Sequence, residues 1–302
     1  QFYTIADAAI VGQVLGVSGI AAVGAAEWII WMMQGMIQGF TQGFGIQMSQ
    51  DFGARQYQRL RNVIVNSAFL SAASAVIMLL GGQIFAAWML GMLHTPDTVW
   101  ADTMLYMRTM FWGIPVVMAY NLFASILRSL GDGKTPLYAM ICASFINIGL
   151  DLLFVPVLHM GVFGAAAATV LAQLCSSLFC LVKITRIDIL KFQREDYALH
   201  TDLHLRLMKL GMPMAFQNFV ISVGGMIVQS VVNGFGVAFI AGFTATNKLY
   251  GMLEVAATSY GFSMTTYTGQ NLGAGKTSRI RKGYREALII AMITSVVIAA
   301  VM

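Results

Sequence analysis

The sequence predicts an all-α, polytopic membrane protein built as a two-lobed helical bundle with an internal repeat. Three observations carry this. Of the 302 residues, 58% are hydrophobic and 10% charged, with a mean hydropathy of +0.74; soluble domains hold about 45–50% apolar and about 25% charged residues. All of the 18 Lys and Arg except Arg108 and Lys248 lie in or beside four polar loops between apolar spans. Finally, Gln50, Gly53, Ala54, Arg59 and Arg61 recur as Gln270, Gly273, Ala274, Arg279 and Arg281, a constant offset of 220 residues (50 to 270). At the same offset Gly16, Val17, Ile20, Ala21 and Ala25 recur as Gly236, Val237, Ile240, Ala241 and Ala245.

The charge placement is the positive-inside pattern. It assigns loops 53–61, 128–136, 183–209 and 269–286 to the cytoplasm and the chain to the plasma (inner) membrane as a multi-pass protein. The net charge of +5 therefore does not speak for nucleic acid. Cys142, Cys175 and Cys180 fall inside apolar spans without metal-type spacing and read as reduced packing residues. The expected partners are the lipid bilayer and small organic cationic substrates, with the protein monomeric and no cofactor or bound metal beyond a coupling ion, Na⁺ or H⁺.

The elements follow in order. Helix one runs to about residue 15 and, opening at Gln1 rather than Met, is incomplete. A turn at 16–19 leads to helix two (20–49), and the basic loop 53–61 to helix three (63–90). Helix four covers 103–127. Helices five and six form a hairpin within 145–169, turning near 159–164. In the polar segment 183–209, leucines and charges alternate as in an amphipathic surface helix. Helices seven and eight start near 210 and 237, and helix nine ends with the chain. Helices seven to nine thus repeat helices one to three in the same orientation. The chain reads as a fragment of a six-plus-six arrangement, with eight or nine helices present: a lobe over 1–185, a linker over 186–209, and the start of a second lobe over 210–302. Repeated halves with a site at membrane depth are the architecture of secondary transporters.

The hairpin carries the candidate chemistry. Asp151 lies within helix five, where an isolated carboxylate costs several kcal/mol in lipid. Asn147, one turn earlier, shares its face. Thr169 lies about as far beyond the turn as Asp151 lies before it, so at ~1.5 Å per residue both sit roughly 13 Å below the turn, near mid-bilayer. Asp7, about ten residues before the Gly16 turn, reaches a similar depth, roughly 15 Å. Its repeat partner is Ile227, so the acid belongs to the first lobe only. Proton coupling requires a carboxylate that gains and loses H⁺, yet Asp7, Asn147, Asp151 and Thr169 also offer the oxygen ligands of a hard cation. H⁺ and Na⁺ stay equally open, and a hydrogen-bonded clip tying helix one to helix five is the structural alternative.

Helix two carries Glu27, Trp31, Gln34, Gln38, Gln42 and Gly45 at spacings of three, four and seven. Such a stripe faces either a substrate cavity, with Trp31 stacking on an organic cation, or neighbouring helices. Lys248, in helix eight, is a further cavity candidate. GDGKT (131–135) and GAGKT (273–277) imitate phosphate loops, but Arg128 and Gln270 stand where the first glycine is needed and no strand precedes either.

The runs DAAIVGQVLGVSGIAAVG (7–24), QMSQDFGAR (47–55), RSLGDGKTPL (128–137), NIGLDLLF (147–154) with GVFGAAAAT (161–169), GMP (211–213) and GQNLGAGK (269–276) together resemble the multidrug and toxic compound extrusion (MATE) transporters. The resemblance covers essentially the whole chain, in order. It implies twelve helices in two lobes around a V-shaped cavity and export of organic cations or drugs against inward H⁺ or Na⁺. In the DinF-like branch, the first-lobe cation site matches Asp7, Asn147, Asp151 and Thr169 by position. The helix-seven glutamate of the NorM-like branch has no counterpart in GMPMAFQNFV (211–220). A lipid-linked glycan flippase of the same superfamily and a membrane-embedded enzyme are the alternatives. The first calls for a strongly basic cavity, the second for a water-accessible acid pair.

Overall fold

An apolar run too long for one membrane crossing has to turn, and here a glycine turns it. The structure, a computed structural model, describes residues 2–93, 95–232, 235 and 237–301. Helix α1 (Phe2–Gly53) is broken at Gly16, whose φ of 71° and ψ of −162° suit a residue without a Cβ. Gly12 lies against Ile20, and Gly19 against Val11 and Leu15, so the two limbs, 2–15 and 17–53, fold back on each other. Next come α2 (Tyr57–Met92), α3 (Asp97–Trp112) and α4 (Ile114–Ser129). The helix expected over 103–127 is two helices bent by 44°. Pro115, in the first turn of α4, has no N–H to continue the ladder, and Gly113 is pressed against Val170.

α5 (Lys134–Leu152) runs into a wider π turn, Leu153–Val157, around Pro156. The chain then reverses through His159 and Gly161, both at positive φ, into α6 (Gly161–Thr185). α7 (Thr201–Val232), α8 (Val237–Gly273) and α9 (Thr277–Val301) complete the nine α-helices among the described residues. Six of them are long and apolar enough to cross a membrane, and the bent α3–α4 pair adds a seventh. The exposure pattern suits lipid: Ile84, Phe145 and Val296 point outward while Gln47, Asn66 and Asp151 are buried. Cys180 packs inside as expected, but Cys142 and Cys175 lie on the outward surface.

The segment 183–209 is not an amphipathic surface helix. α6 continues to Thr185 and α7 already starts at Thr201; between them are two short 3₁₀ turns, Asp188–Leu190 and Arg194–Tyr197. Side chains of α2 take over the hydrogen bonds that a helix would have used. Arg61 Nε donates to Asp196 Oδ2 at 2.6 Å, Asn66 Nδ2 to the Ala198 carbonyl at 3.0 Å, and the His200 N–H to Asn66 Oδ1 at 3.0 Å. Leu190 is buried beside them. The linker is thus a strap fastened to the first lobe.

The lobes meet along glycines. The second limb of α1 runs antiparallel to α7, with Gly35, Gly39 and Gly43 against Asn218, Ala215 and Gly211. Near the basic loops α1 crosses α8 at a contact made twice: Gly53 lies on the Gln270 carbonyl and Gly273 on the Gln50 carbonyl. These are repeat partners, so the contact is symmetric. Gln270 Nε2 also donates to the Ser129 carbonyl at 2.8 Å, drawing in α4. The basic end of the bundle is therefore closed.

At that end Asp132 starts α5, accepting from the Thr135 N–H at 3.0 Å and the Thr135 hydroxyl at 2.6 Å. Partial burial pushes its carboxyl up, but the two Thr135 bonds, Lys183 and the Lys134 N–H outweigh this and hold it below the ordinary carboxylate range. Its contribution to stability is present above the unfolded-state pKa and is lost as pH falls through the depressed value. Acid titration of thermal unfolding should therefore show a shallower loss for Asp132→Asn than for the parent protein. Gly53→Ala should cost about 1–3 kcal/mol by overpacking. Gly24→Ala, where the added methyl meets open space, should be neutral or stabilising by up to about 1 kcal/mol. Thermal unfolding of the full-length protein in detergent compares the two.

Candidate functional site

Asp151 ends a buried stripe on α5. Ala139, Ala143, Asn147 and Asp151 recur every four residues, Val155 continues the series, and all five are buried. Ile141, Phe145 and Leu152 on the opposite side are exposed, so the helix turns its apolar face to lipid and its amide and acid into the bundle. The first limb of α1 repeats the pattern with Asp7 and Val11, one turn apart and both buried. Asp151 is 0% exposed and Asp7 7%, and the two carboxylates are near enough for their charges to act on one another.

The hairpin adds Thr169 from α6. Asn147 Nδ2 donates a long bond to Thr169 Oγ1 at 3.5 Å, and Thr169 Oγ1 itself donates to the Ala165 carbonyl at 3.1 Å. The tight hairpin depends on Gly164, which lies in contact with Phe154 and Met160. The four residues selected from the sequence thus come together in the first lobe. Asp7 Oδ1, Asn147 Oδ1 and both oxygens of Asp151 have no hydrogen-bond donor among the described residues. Unsatisfied buried acceptors cost about 1–3 kcal/mol each, and more when charged. Two neighbouring carboxylates also repel, so a proton or a hard cation held among these oxygens relieves both penalties.

The residues expected to line a cavity are dispersed. Gln38, with Gln42 and Gly45, borders a narrow cleft between the lobes, which Arg128 enters from α4 and Phe262 and Thr265 enter from α8. Gln34 borders a separate small pocket, with Met33, Phe111 and Ile114. Glu27 and Trp31 are exposed and border neither cleft, and the side chain of Lys248 lies outside the described residues. Arg128, the first residue of the basic segment 128–136, sits on the last turn of α4 and reaches the inter-lobe cleft. The G-x-x-x-G-x-x-x-G spacing of Gly35, Gly39 and Gly43 was a legible signal of the α1–α7 contact that the polar stripe obscured.

Residues 1–153 and 213–302 match the family model described as MatE. The probable multidrug resistance protein YoeA of Bacillus subtilis is 27% identical over 287 residues, an alignment covering 91% of this chain and 61% of YoeA. The probable multidrug resistance protein YpnP of the same organism is 28% identical over 274 residues, with the same coverage of 91% and 61%. The chain thus spans about 61% of the length of these curated relatives. Among solved structures, the outward-facing conformation of a multidrug resistance MATE family transporter of the MOP superfamily superposes with a TM-score of 0.92 at 24% identity. That match covers 100% of this chain and 67% of the other.

If the two buried carboxylates sense each other, Asp7→Asn and Asp151→Asn should not be additive. A double-mutant cycle on thermal unfolding of the full-length protein should give a coupling of about 0.5–3 kcal/mol. Strict additivity would mean that the acids do not interact.

Proposed function

Because the chain belongs to the MatE family, we propose that the complete protein is a secondary active antiporter, a transporter and not an enzyme. It exports organic cations or drugs in exchange for H⁺ or Na⁺ by alternating access. The basic end faces the cytoplasm and the protein resides in the plasma membrane as a monomer. The observation that supports this reading is the set of oxygens on Asp7, Asn147 and Asp151 that have no donor among the described residues, gathered beside Thr169 in the first lobe. The same set is the basis for placing the chain in the DinF-like branch.

The mechanism follows from what these residues lack. Without a cation, Asp7 on the first limb of α1 is repelled by Asp151 on α5. With one bound, the limb and the hairpin are drawn together. The first limb is continuous through Gly16 with the second, which borders the inter-lobe cleft at Gln38, so a shift of one limb is felt at the other. Cation and drug favour different arrangements of these helices, and each therefore weakens binding of the other. A drug is released outward when the cation enters, and the cation leaves to the cytoplasm when the lobes part at the basic end.

Asp151→Asn in the complete protein should abolish gradient-driven efflux of ethidium from vesicles, with pH and Na⁺ gradients imposed separately. Efflux retained under both gradients would contradict the assignment of the coupling site.

A further inference from the structure

The inter-lobe cleft is lined by one guanidinium and, among the described residues, by no carboxylate. Arg128 contributes from the last turn of α4, and no described acid forms an ion pair with it. Its Nε donates to the Ala124 carbonyl at 3.1 Å, and its guanidinium lies 5.6 Å from the centre of the Phe262 ring. A guanidinium held by its Nε and covered on one face keeps its terminal N–H groups for an acceptor lying in its plane. Gln38 and Gln42 bring amide donors to the same cleft from α1.

We propose that this cleft is a substrate subsite for an anionic group, carboxylate, phosphate or sulfonate, carried by an aromatic or amphipathic molecule. The proposal rests on the transport function above and narrows it: the cargo bears a negative group as well as any positive one. Arg128 supplies the charge-assisted hydrogen bonds, Gln38 and Gln42 orient the acceptor, and Phe262 flanks the bound ring system. Arg128 belongs to the first lobe and Phe262 to the second, so the subsite is complete only while the basic ends of the lobes are together. An anion captured by Arg128 when the lobes are parted is enclosed as they close.

The test uses full-length protein in detergent and a fluorescent pair, coumarin-3-carboxylate and its ethyl ester, with binding read by fluorescence anisotropy. The unmodified protein should bind the acid at least 10-fold more tightly than the ester, with the difference shrinking as salt rises. Arg128→Gln should weaken the acid by about 10- to 100-fold, as loss of a charged hydrogen bond predicts, and leave the ester within about twofold. Arg128→Lys should recover part of the acid binding. Equal binding of acid and ester by the unmodified protein would overturn the proposal without any variant having to fold. Equal weakening of both by Arg128→Gln would do so too, since it would show Arg128 acting only to hold the lobes closed. Binding needs no ion gradient, so these results are separable from those of gradient-driven ethidium efflux.

Discussion

The constraint on which the first lobe is built is the burial of carboxylates whose oxygens, Asp7 Oδ1 and both of Asp151, find no donor among the described residues. Asp7 shares a buried helix face with Val11, and Asp151 one with Ala143 and Val155, inside a bundle whose outer surface is apolar. The nearby polar groups do not satisfy them. The Thr169 hydroxyl proton is committed to the Ala165 carbonyl, and the Asn147 amide is turned toward Thr169. Adding one donor from a neighbouring side chain would have made this a stable structural clip. With no such donor among the described residues, the charge on these oxygens is open to compensation by something that arrives from outside, and a site that must exchange its ligand gains from having no permanent partner.

Much of this was legible in the sequence because it depends on counting along helices. Equal distances of Asp151 and Thr169 from one turn set their common depth, and the i, i+4 spacing of Asn147 and Asp151 set their common face. The Gly16 break and the repeat were visible as residue identities. What escaped is long-range. The strap over 186–200 is held by Arg61 and Asn66, more than a hundred residues away, and hydrogen bonding to those side chains overrode the local helical pattern. The bend at Gly113 and Pro115 needed knowledge that Val170 packs there. Arg128 looked like one more residue of a basic loop because sequence position near a helix end does not reveal which way a long side chain turns. Glu27, Trp31, Gln34 and Gln38 shared a helical face in sequence, but neighbours from α3, α4 and α8 divide that face between a cleft, an apolar pocket and open surface.

The strap also fastens the start of α7 to the first lobe. Residues 188–200 are tied to α2 by the Arg61–Asp196 ion pair and the two Asn66 bonds, and Asp196 is nearly inaccessible. A buried pair of this kind is costly to break one partner at a time. The attachment continues into α7, where His204 stacks on Phe69 of α2 with ring centroids 5.5 Å apart and Leu207 is buried in the same apolar cluster as Leu60 and Val63.

The doubled contact between α1 and α8 has a consequence for how such a fold is assembled. Gly53 meets the backbone of Gln270 while Gly273 meets that of Gln50, so each half supplies both the notch and the ridge. This is the isologous geometry that two identical subunits make about a dyad. A half-length chain with this surface would carry both faces of the seam, so two copies could pair through it whether or not they were joined.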